Sequence, residues 1–181
     1  AALEKRAQNS YVICIQPTPR STFISITPEK LFSRKAQNVE TEALAATQKA
    51  GAKTPLDLSH DKHRREFSLV ERSIEQALAP WSTKPLQFSD PSVRSVSGGL
   101  QHLYSSLKAK VLKETADGKL LDALHPTAAL LGLPKEKAWE FLRKHEPFDR
   151  GLYGAPIGQK IQNSSTWAVG IRSCLLFESE L

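Results

Sequence analysis

The chain has 181 residues, of which 40% are hydrophobic and 24% are charged. This composition is typical of one globular domain, and it excludes collagen-like, coiled-coil and disordered chains. No apolar run reaches the roughly 18 residues of a membrane span, so we expect no membrane association. The two cysteines, Cys14 and Cys174, cannot build a disulfide framework, which favours a reducing compartment.

The net charge of +6 raises the question of a nucleic-acid partner. However, the 25 Lys and Arg residues are interspersed with 19 Asp and Glu residues, and only 7% of the residues are aromatic. No basic stretch alternates with stacking side chains, as single-strand binders require. We therefore predict no nucleic acid, because a small anionic ligand explains the basic balance equally well.

Both ends of the sequence resemble the middle of a longer sequence. The chain starts without Met, residues 1–10 lack the apolar segment of a secretory signal, and a strand-like run reaches almost to Leu181. We therefore expect a fragment of a longer protein.

The first third of the chain predicts mainly strands. Residues 11–16 and 22–27 are rich in β-branched side chains, and the five residues between them favour a hairpin. Pro28 and Glu29 stop the second strand. A further short strand is expected over 39–44, followed by a loop over 49–58.

The middle of the chain predicts helices. The first begins near Ser59 and ends at Pro80, with a buried stripe at helical spacing (Phe67, Val70, Ile74 and Leu78). Residues 80–97 are predicted to be a connector and 99–115 a second helix. A third helix over 134–145 is expected to bury three side chains, Ala138, Phe141 and Leu142.

The chain is predicted to return to strand at its end. The Gly-rich run 151–158 is a turn or bulge, and 167–177 is one strand with Ile171 and Arg172 on opposite faces. Strands first, helices in the middle and a strand at the end favour an α+β fold over regular βαβ alternation.

Two carboxylates are candidates for chemistry. Glu29 lies at a strand end, where side chains often face a site, although a solvated carboxylate is the commoner situation. Glu66 lies beside the buried stripe of the first helix and could bind a hard cation such as Mg²⁺. An i, i+4 surface pair with Lys62 is the simpler explanation.

Two basic side chains are further candidates. Pro126 pushes His125 out of the helical region, so its ring is fixed as an acid–base group or as a structural histidine. Arg172 is a cation within an apolar strand and needs a carboxylate partner, either in the protein or in a ligand. The backbone over 153–158 could approach a ligand closely, or simply turn. Motifs for nucleophilic serine, zinc or phosphate chemistry are absent.

Seven segments of the sequence together resemble the chorismate-utilising enzymes, and among them most closely the isochorismate synthases of plants and algae. The segments occur in family order at residues 23–32, 41–47, 61–66, 101–103, 124–127 with 132–134, 146–151, and 169–173. The resemblance covers about residues 10–177. It implies a partial chorismate-binding α/β sandwich, made of antiparallel sheets with outer helices, over residues 1–181.

The resemblance also implies an activity: Mg²⁺-dependent conversion of chorismate to isochorismate, in which water adds to the ring and the 4-hydroxyl leaves. By position, Glu29 matches the general acid, and His125 matches an active-site histidine. Glu66 matches a Mg²⁺ ligand. The residues matched to substrate binding are Ala46, Thr47, Ile171 and Arg172. The lysine base and the remaining Mg²⁺ ligands of the family match no position of this chain.

The sequence departs from the family pattern in two loops. Ala46 stands where most members have Gly, and the order Tyr153-Gly-Ala-Pro156 replaces Tyr-Ala-Gly-Pro. Ala43-Leu44 favours the branch that uses water over the relatives that use ammonia. The alternatives are a salicylate or anthranilate synthase relative, or a non-catalytic remnant that binds a ligand or partner.

The resemblance leads to three further expectations. Chorismate is the partner, and the product serves phylloquinone, menaquinone or salicylate biosynthesis. A plastid location follows if the source is a plant or alga, and otherwise a cytoplasmic one. We expect a monomer.

Overall fold

A computed structural model describes residues 9–177 of the chain. Nine strands lie in this part: β1 Tyr11–Thr18, β2 Ser21–Thr27, β3 Lys30–Lys35, β4 Asn38–Lys49, β5 Ser92–Val96, β6 Leu100–Lys110, β7 Pro156–Ile161, β8 Ser164–Val169 and β9 Ser173–Phe177. The α-helices of the same part are α1 Asp61–Leu78, α2 Asp117–Leu124, α3 Ala128–Leu131 and α4 Lys135–His145.

The strands form two antiparallel sheets. The smaller sheet has the order β1-β2-β9, and the larger has the order β5-β6-β4-β3-β8-β7. The predicted α+β class is confirmed. In residues 9–177 no helix is long and apolar enough to cross a membrane.

The predicted first hairpin is confirmed, with longer strands than expected. Tyr11 pairs with Thr27, and the turn tightens to Pro19 and Arg20. Pro28 ends β2 as predicted, since it has no N–H for the sheet. The chain then leaves the smaller sheet and enters the larger one through β3, a strand that the sequence analysis did not predict.

Helix α1 and the larger sheet share the main core. All four residues of the predicted stripe, Phe67, Val70, Ile74 and Leu78, are buried in one cluster with β4 and β6 side chains. Burying each such side chain stabilises the fold by about 1.5–3 kcal/mol. The N-cap of the helix lies one residue later than the predicted Ser59, because the His60 ring accepts the hydrogen bond from the Lys62 N–H.

The predicted second helix is wrong: residues 100–110 form strand β6, which lies between β5 and β4 in the larger sheet. The leucines at 100, 103 and 107 have helical spacing. The buried positions nevertheless alternate, because Ser105 and Ala109 also point inward. Since small and polar side chains fill alternate inward positions, the period of two is hidden in the sequence.

The predicted single strand over 167–177 is also wrong, because it divides into β8 and β9, which belong to different sheets. The break includes Arg172, whose φ of +50° is left-handed. A residue in this conformation interrupts extended backbone, so Ile171 and Arg172 do not occupy opposite faces of one strand.

Three smaller predictions also need correction. Helix α4 matches the third predicted helix, but none of its residues is buried, and the Phe141 side chain is 61% exposed. The connector contains the edge strand β5, and the expected short strand at 39–44 lies in the first half of the twelve-residue β4. Strand β7 follows the turn at 151–154.

Candidate functional site

A cavity of about 650 Å³ lies where the chain passes between the two sheets. The chain crosses between them twice, through Pro28 and Glu29 and again through residues 170–172. Both crossings contribute to the cavity wall, and β4, β6, α1 and α3 supply most of the remainder. The lining residues with polar or ionisable side chains are Glu29, Thr47, Glu66, His102, Tyr153 and Arg172.

Glu29 is an acid held in a low-dielectric position. Thr127 Oγ1 donates a 2.6 Å hydrogen bond to its Oε1, and the Glu29 N–H donates to Thr27 Oγ1. Burial raises the pKa of the Glu29 carboxyl, the hydrogen bond from Thr127 opposes the shift, and nearby Glu42 adds to it. Glu29 is therefore a buried carboxyl whose protonated form is favoured, rather than the solvated carboxylate that is commoner at such a position.

Strand β4 carries a bulge at the cavity. The pairing with β6 shifts between Ala45 and Thr47, and Ala46 adopts a φ of +54°. The bulge places Thr47 beside His102, with 3.1 Å between Thr47 Oγ1 and His102 Nδ1. The predicted substrate loop is thus the distorted end of a strand, in which Ala46 has a left-handed backbone.

Arg172 lines the same cavity from the second crossing. Its Nη2 donates to His102 Nε2 at 2.9 Å, and its Nη1 lies 3.4 Å from the Ser97 carbonyl oxygen. Partial burial lowers the pKa of its guanidinium. Among residues 9–177, no carboxylate lies within ion-pair distance of Arg172. Of the two alternatives, an internal salt bridge or a ligand, this arrangement favours the ligand.

His102 is a site residue that the sequence analysis missed. It is 6% exposed and contacts both Thr47 and Arg172. Burial and the adjacent Arg172 cation lower its pKa to about 4. The sequence signal that could have indicated His102 is its place in the family-like segment 101–103. The helix predicted there gave no reason to bring it near Thr47.

Glu66 lines the cavity from α1, and it also forms the alternative surface pair. Its Oε1 is 3.8 Å from Lys62 Nζ, and its side chain is 45% exposed. Within the described part of the chain, no three His, Cys, Asp or Glu residues are grouped so that they could hold a metal ion. Glu66 can therefore supply one ligand to a cation, but residues 9–177 do not complete a magnesium site.

His125 is held by backbone rather than by the cavity. Its Nε2 lies 2.8 Å from the Gly154 carbonyl oxygen, and a carbonyl can only accept, so Nε2 carries the proton. His125 is not among the lining residues, whereas Ile171 and Tyr153 are. This geometry favours the structural alternative, in which His125 positions the 153–154 turn.

The comparisons with known proteins agree with this fold. The chain is 39% identical over 176 residues to the chloroplastic isochorismate synthase of Catharanthus roseus, and 38% identical over 183 residues to the chloroplastic isochorismate synthase 2 of Arabidopsis thaliana. These alignments cover 93% and 97% of this chain, but only 30% and 32% of those relatives. The chain thus spans about a third of their length.

A solved structure gives the same result. The menaquinone-specific isochorismate synthase MenF of Escherichia coli superposes with a TM-score of 0.85 at 29% identity, over 96% of this chain and 42% of that one. The family described as chorismate binding enzyme matches residues 1–181. From the matched sequence and the shared fold together, we conclude that the chain belongs to the family of chorismate-binding enzymes.

Proposed function

We propose that residues 1–181 are part of the catalytic domain of an isochorismate synthase, and that the cavity binds chorismate. The observation that carries the proposal is the pairing of two groups in one cavity: Glu29, a buried carboxyl whose pKa is raised by its burial, and Arg172, a cation without a carboxylate partner in residues 9–177. An anionic substrate with a leaving hydroxyl needs both groups.

Each group has a role in this reaction. Arg172 pairs with a substrate carboxylate. The substrate also contacts the Thr47 side chain, the Ala46 backbone and Ile171. Glu29 donates its proton to the 4-hydroxyl, which leaves as water. A second water adds its oxygen to the ring and gives a proton to a base. Loss of one water and gain of another leave the composition unchanged, so the reaction is an isomerisation.

Magnesium enters the proposal through one residue. The plant and bacterial relatives carry the name isochorismate synthase, and the resemblance assigns Mg²⁺ to that reaction. The Glu66 carboxylate lines the cavity and could supply one ligand to the ion. His125 holds the turn at 153–154 through its contact with the Gly154 carbonyl oxygen. Residues 9–177 do not complete the ligand set of the ion.

The setting of the reaction follows from the relatives. The two plant relatives are named chloroplastic, and others are named for salicylate biosynthesis or as MenF. We therefore place this protein in the plastid if its source is a plant or alga, and in the cytoplasm otherwise, with its product entering quinone or salicylate biosynthesis. We propose chorismate as its partner and a monomeric state.

Chorismate binding to the chain tests the proposal directly. We expect titration calorimetry to detect binding of chorismate to the wild-type chain. Arg172→Gln should weaken it by about 10- to 100-fold, because a charge-assisted pair is lost. Arg143→Gln changes an exposed arginine of α4 and serves as the matched control. If Arg172→Gln binds as tightly as Arg143→Gln, Arg172 does not hold the substrate.

Turnover separates an enzyme from a remnant that only binds. The chain, and a longer protein that contains it, are incubated with chorismate and Mg²⁺, and isochorismate is sought by chromatography. Product from the longer protein supports the synthase. Binding without product in any length of chain would contradict the proposed activity and leave a chorismate-binding remnant.

A further inference from the structure

Three polar side chains form a chain of hydrogen bonds along the cavity wall. Arg172 Nη2 is 2.9 Å from His102 Nε2, and His102 Nδ1 is 3.1 Å from Thr47 Oγ1. The three residues lie far apart in sequence and come from the second sheet crossing, β6 and β4. His102 is the buried central member, at 6% exposure.

The chemistry of arginine fixes the direction of these hydrogen bonds. A guanidinium has only donors, so His102 Nε2 must accept and carries no proton. A neutral imidazole keeps its one proton on the other nitrogen, here Nδ1. Nδ1–H therefore donates to Thr47 Oγ1, which uses that oxygen as an acceptor.

The ring is neutral under ordinary conditions. Burial, followed by the adjacent Arg172 cation, lowers the pKa of His102 to about 4. Arg172 is the charged group that faces the ring and contributes to this shift. A proton on Nε2 would place two cations in contact, so the accepting state holds at neutral pH.

We propose that His102 is a positioning residue of the chorismate site, which orients Arg172 toward the ligand and leaves the Thr47 hydroxyl hydrogen free to donate into the cavity. The inference rests on the proposed function for the identity of the ligand. It also bears on how the ligand is bound, because the free hydroxyl hydrogen of Thr47 can donate to an acceptor atom of the ligand, such as a hydroxyl, ether or carboxylate oxygen.

Two substitutions separate the two hydrogen bonds of the ring. The amide oxygen of Gln reaches about as far as Nε2, so His102→Gln can still accept from Arg172. The amide of Asn reaches only as far as Nδ1, so His102→Asn can donate to Thr47 but leaves Arg172 unsupported. We expect Asn to weaken chorismate binding by about 10-fold or more, and Gln to recover most of that loss, to within about 3-fold of wild type.

A purely structural role predicts a different pattern. In that case the affinity for chorismate would follow the thermal stability of each variant. The Asn and Gln variants would then bind chorismate equally well whenever their stabilities are equal. Melting temperatures are therefore measured for both variants, with the exposed His145→Gln as the control for histidine loss. Equal affinities of the Asn and Gln variants would overturn the proposal.

The ring state is tested on the free chain, without chorismate. Nitrogen-15 NMR should show His102 as the neutral Nδ1–H tautomer at pH 6. The His102→Gln spectrum assigns the signal. Slow rotation of the Arg172 guanidinium should disappear in His102→Asn.

The two measurements fail independently. A charged or Nε2–H ring at His102 overturns the positioning role, whatever the chain binds. Absence of chorismate binding in the wild-type chain, with the Nδ1–H tautomer and slow guanidinium rotation present, contradicts the proposed function and leaves the His102–Arg172 arrangement supported.

Discussion

Two residues of the cavity wall have backbone conformations that their side chains disfavour. Ala46 and Arg172 have φ values of +54° and +50°. The left-handed region costs a residue with a Cβ about 1–2 kcal/mol. Strain of this kind persists where surrounding contacts hold it, and it clusters at functional sites. At Arg172 the contact is the Arg172 carbonyl, which accepts from the Ile26 N–H at 3.2 Å.

The strain at Ala46 predicts that one substitution lowers the stability of the protein and that another leaves it nearly unchanged. Ala46→Val places a β-branched side chain at positive φ and should lower the free energy of unfolding by about 2 kcal/mol or more. Ala46→Gly relieves the strain while losing one buried methyl group worth about 0.8 kcal/mol, so its stability should stay within about 1 kcal/mol of wild type. Urea unfolding measures both. Equal stabilities of the Val and Gly variants would contradict a left-handed residue 46.

The buried acid predicts a separation of activity from stability. Glu29→Gln keeps an oxygen that accepts from Thr127 but has no proton to transfer, so turnover of a full-length protein should fall by about 100-fold or more while chorismate still binds. Glu75→Gln, on the exposed face of α1, is the control. Turnover by Glu29→Gln at the rate of Glu75→Gln would refute the acid assignment.

The same substitution has a pH-dependent effect on stability. Since the folded state raises the pKa of Glu29, the carboxyl is protonated in both states below its ordinary value of 4.5. As the pH rises above 4.5, the unfolded chain releases the proton first, so the wild-type protein loses stability. The advantage of Glu29→Gln in melting temperature should therefore grow from pH 4 toward pH 7. A constant difference would mean that Glu29 titrates normally.

At the scale of elements, a helix or strand could be predicted where large apolar side chains mark its buried positions, because only then is its period visible in the sequence. Helix α1 shows its stripe openly, because four large apolar residues mark its buried face. Strand β6 hides its alternation behind Ser105 and Ala109. The bulge at Ala46 leaves no local signal, since it arises from the pairing of β4 with β6. Position 46 entered the site by resemblance alone.

A pair of glycines tests the packing of β7 and β8. A Cβ at Gly158 would lie 2.2 Å from the Thr166 carbonyl oxygen and 2.6 Å from the Trp167 ring, so Gly158→Ala should lose about 1–3 kcal/mol of stability. Gly118, within α2, has open space around it. Gly118→Ala should gain about 0.5–1 kcal/mol from helix propensity. Chemical unfolding of both variants decides, and a tolerated Gly158→Ala would contradict the close approach of the two strands.

At the scale of the whole molecule, the site depends on the joining of two sheets. Glu29 and Arg172 stand at the two crossings, while Thr47 and His102 come from neighbouring strands of the larger sheet. Family resemblance could name three of these residues. It could not show that His102 connects two of them, because the contacts span 55 and 70 positions of the sequence. Such contacts follow from topology rather than from local pattern.

The distribution of carboxylates over the molecule limits what this chain can do with magnesium. Glu66 faces the cavity with Lys62 beside it, and no group of three ligating residues lies in residues 9–177. A single exposed carboxylate holds Mg²⁺ weakly, since the ion keeps most of its waters without further ligands. We therefore expect calorimetry to show Mg²⁺ binding to the 181-residue chain only at about 1 mM or weaker.

The control for this prediction removes the carboxylate of Glu66. Glu66→Gln should leave the weak binding of Mg²⁺ almost unchanged, because nonspecific carboxylates account for most of it. In a longer active protein, the same substitution should raise the Mg²⁺ concentration needed for half-maximal activity by about 10-fold or more. Submillimolar binding to the short chain that Glu66→Gln abolishes would show that the described residues complete a metal site after all. The carboxylates around α1 would then need a different arrangement from the one described.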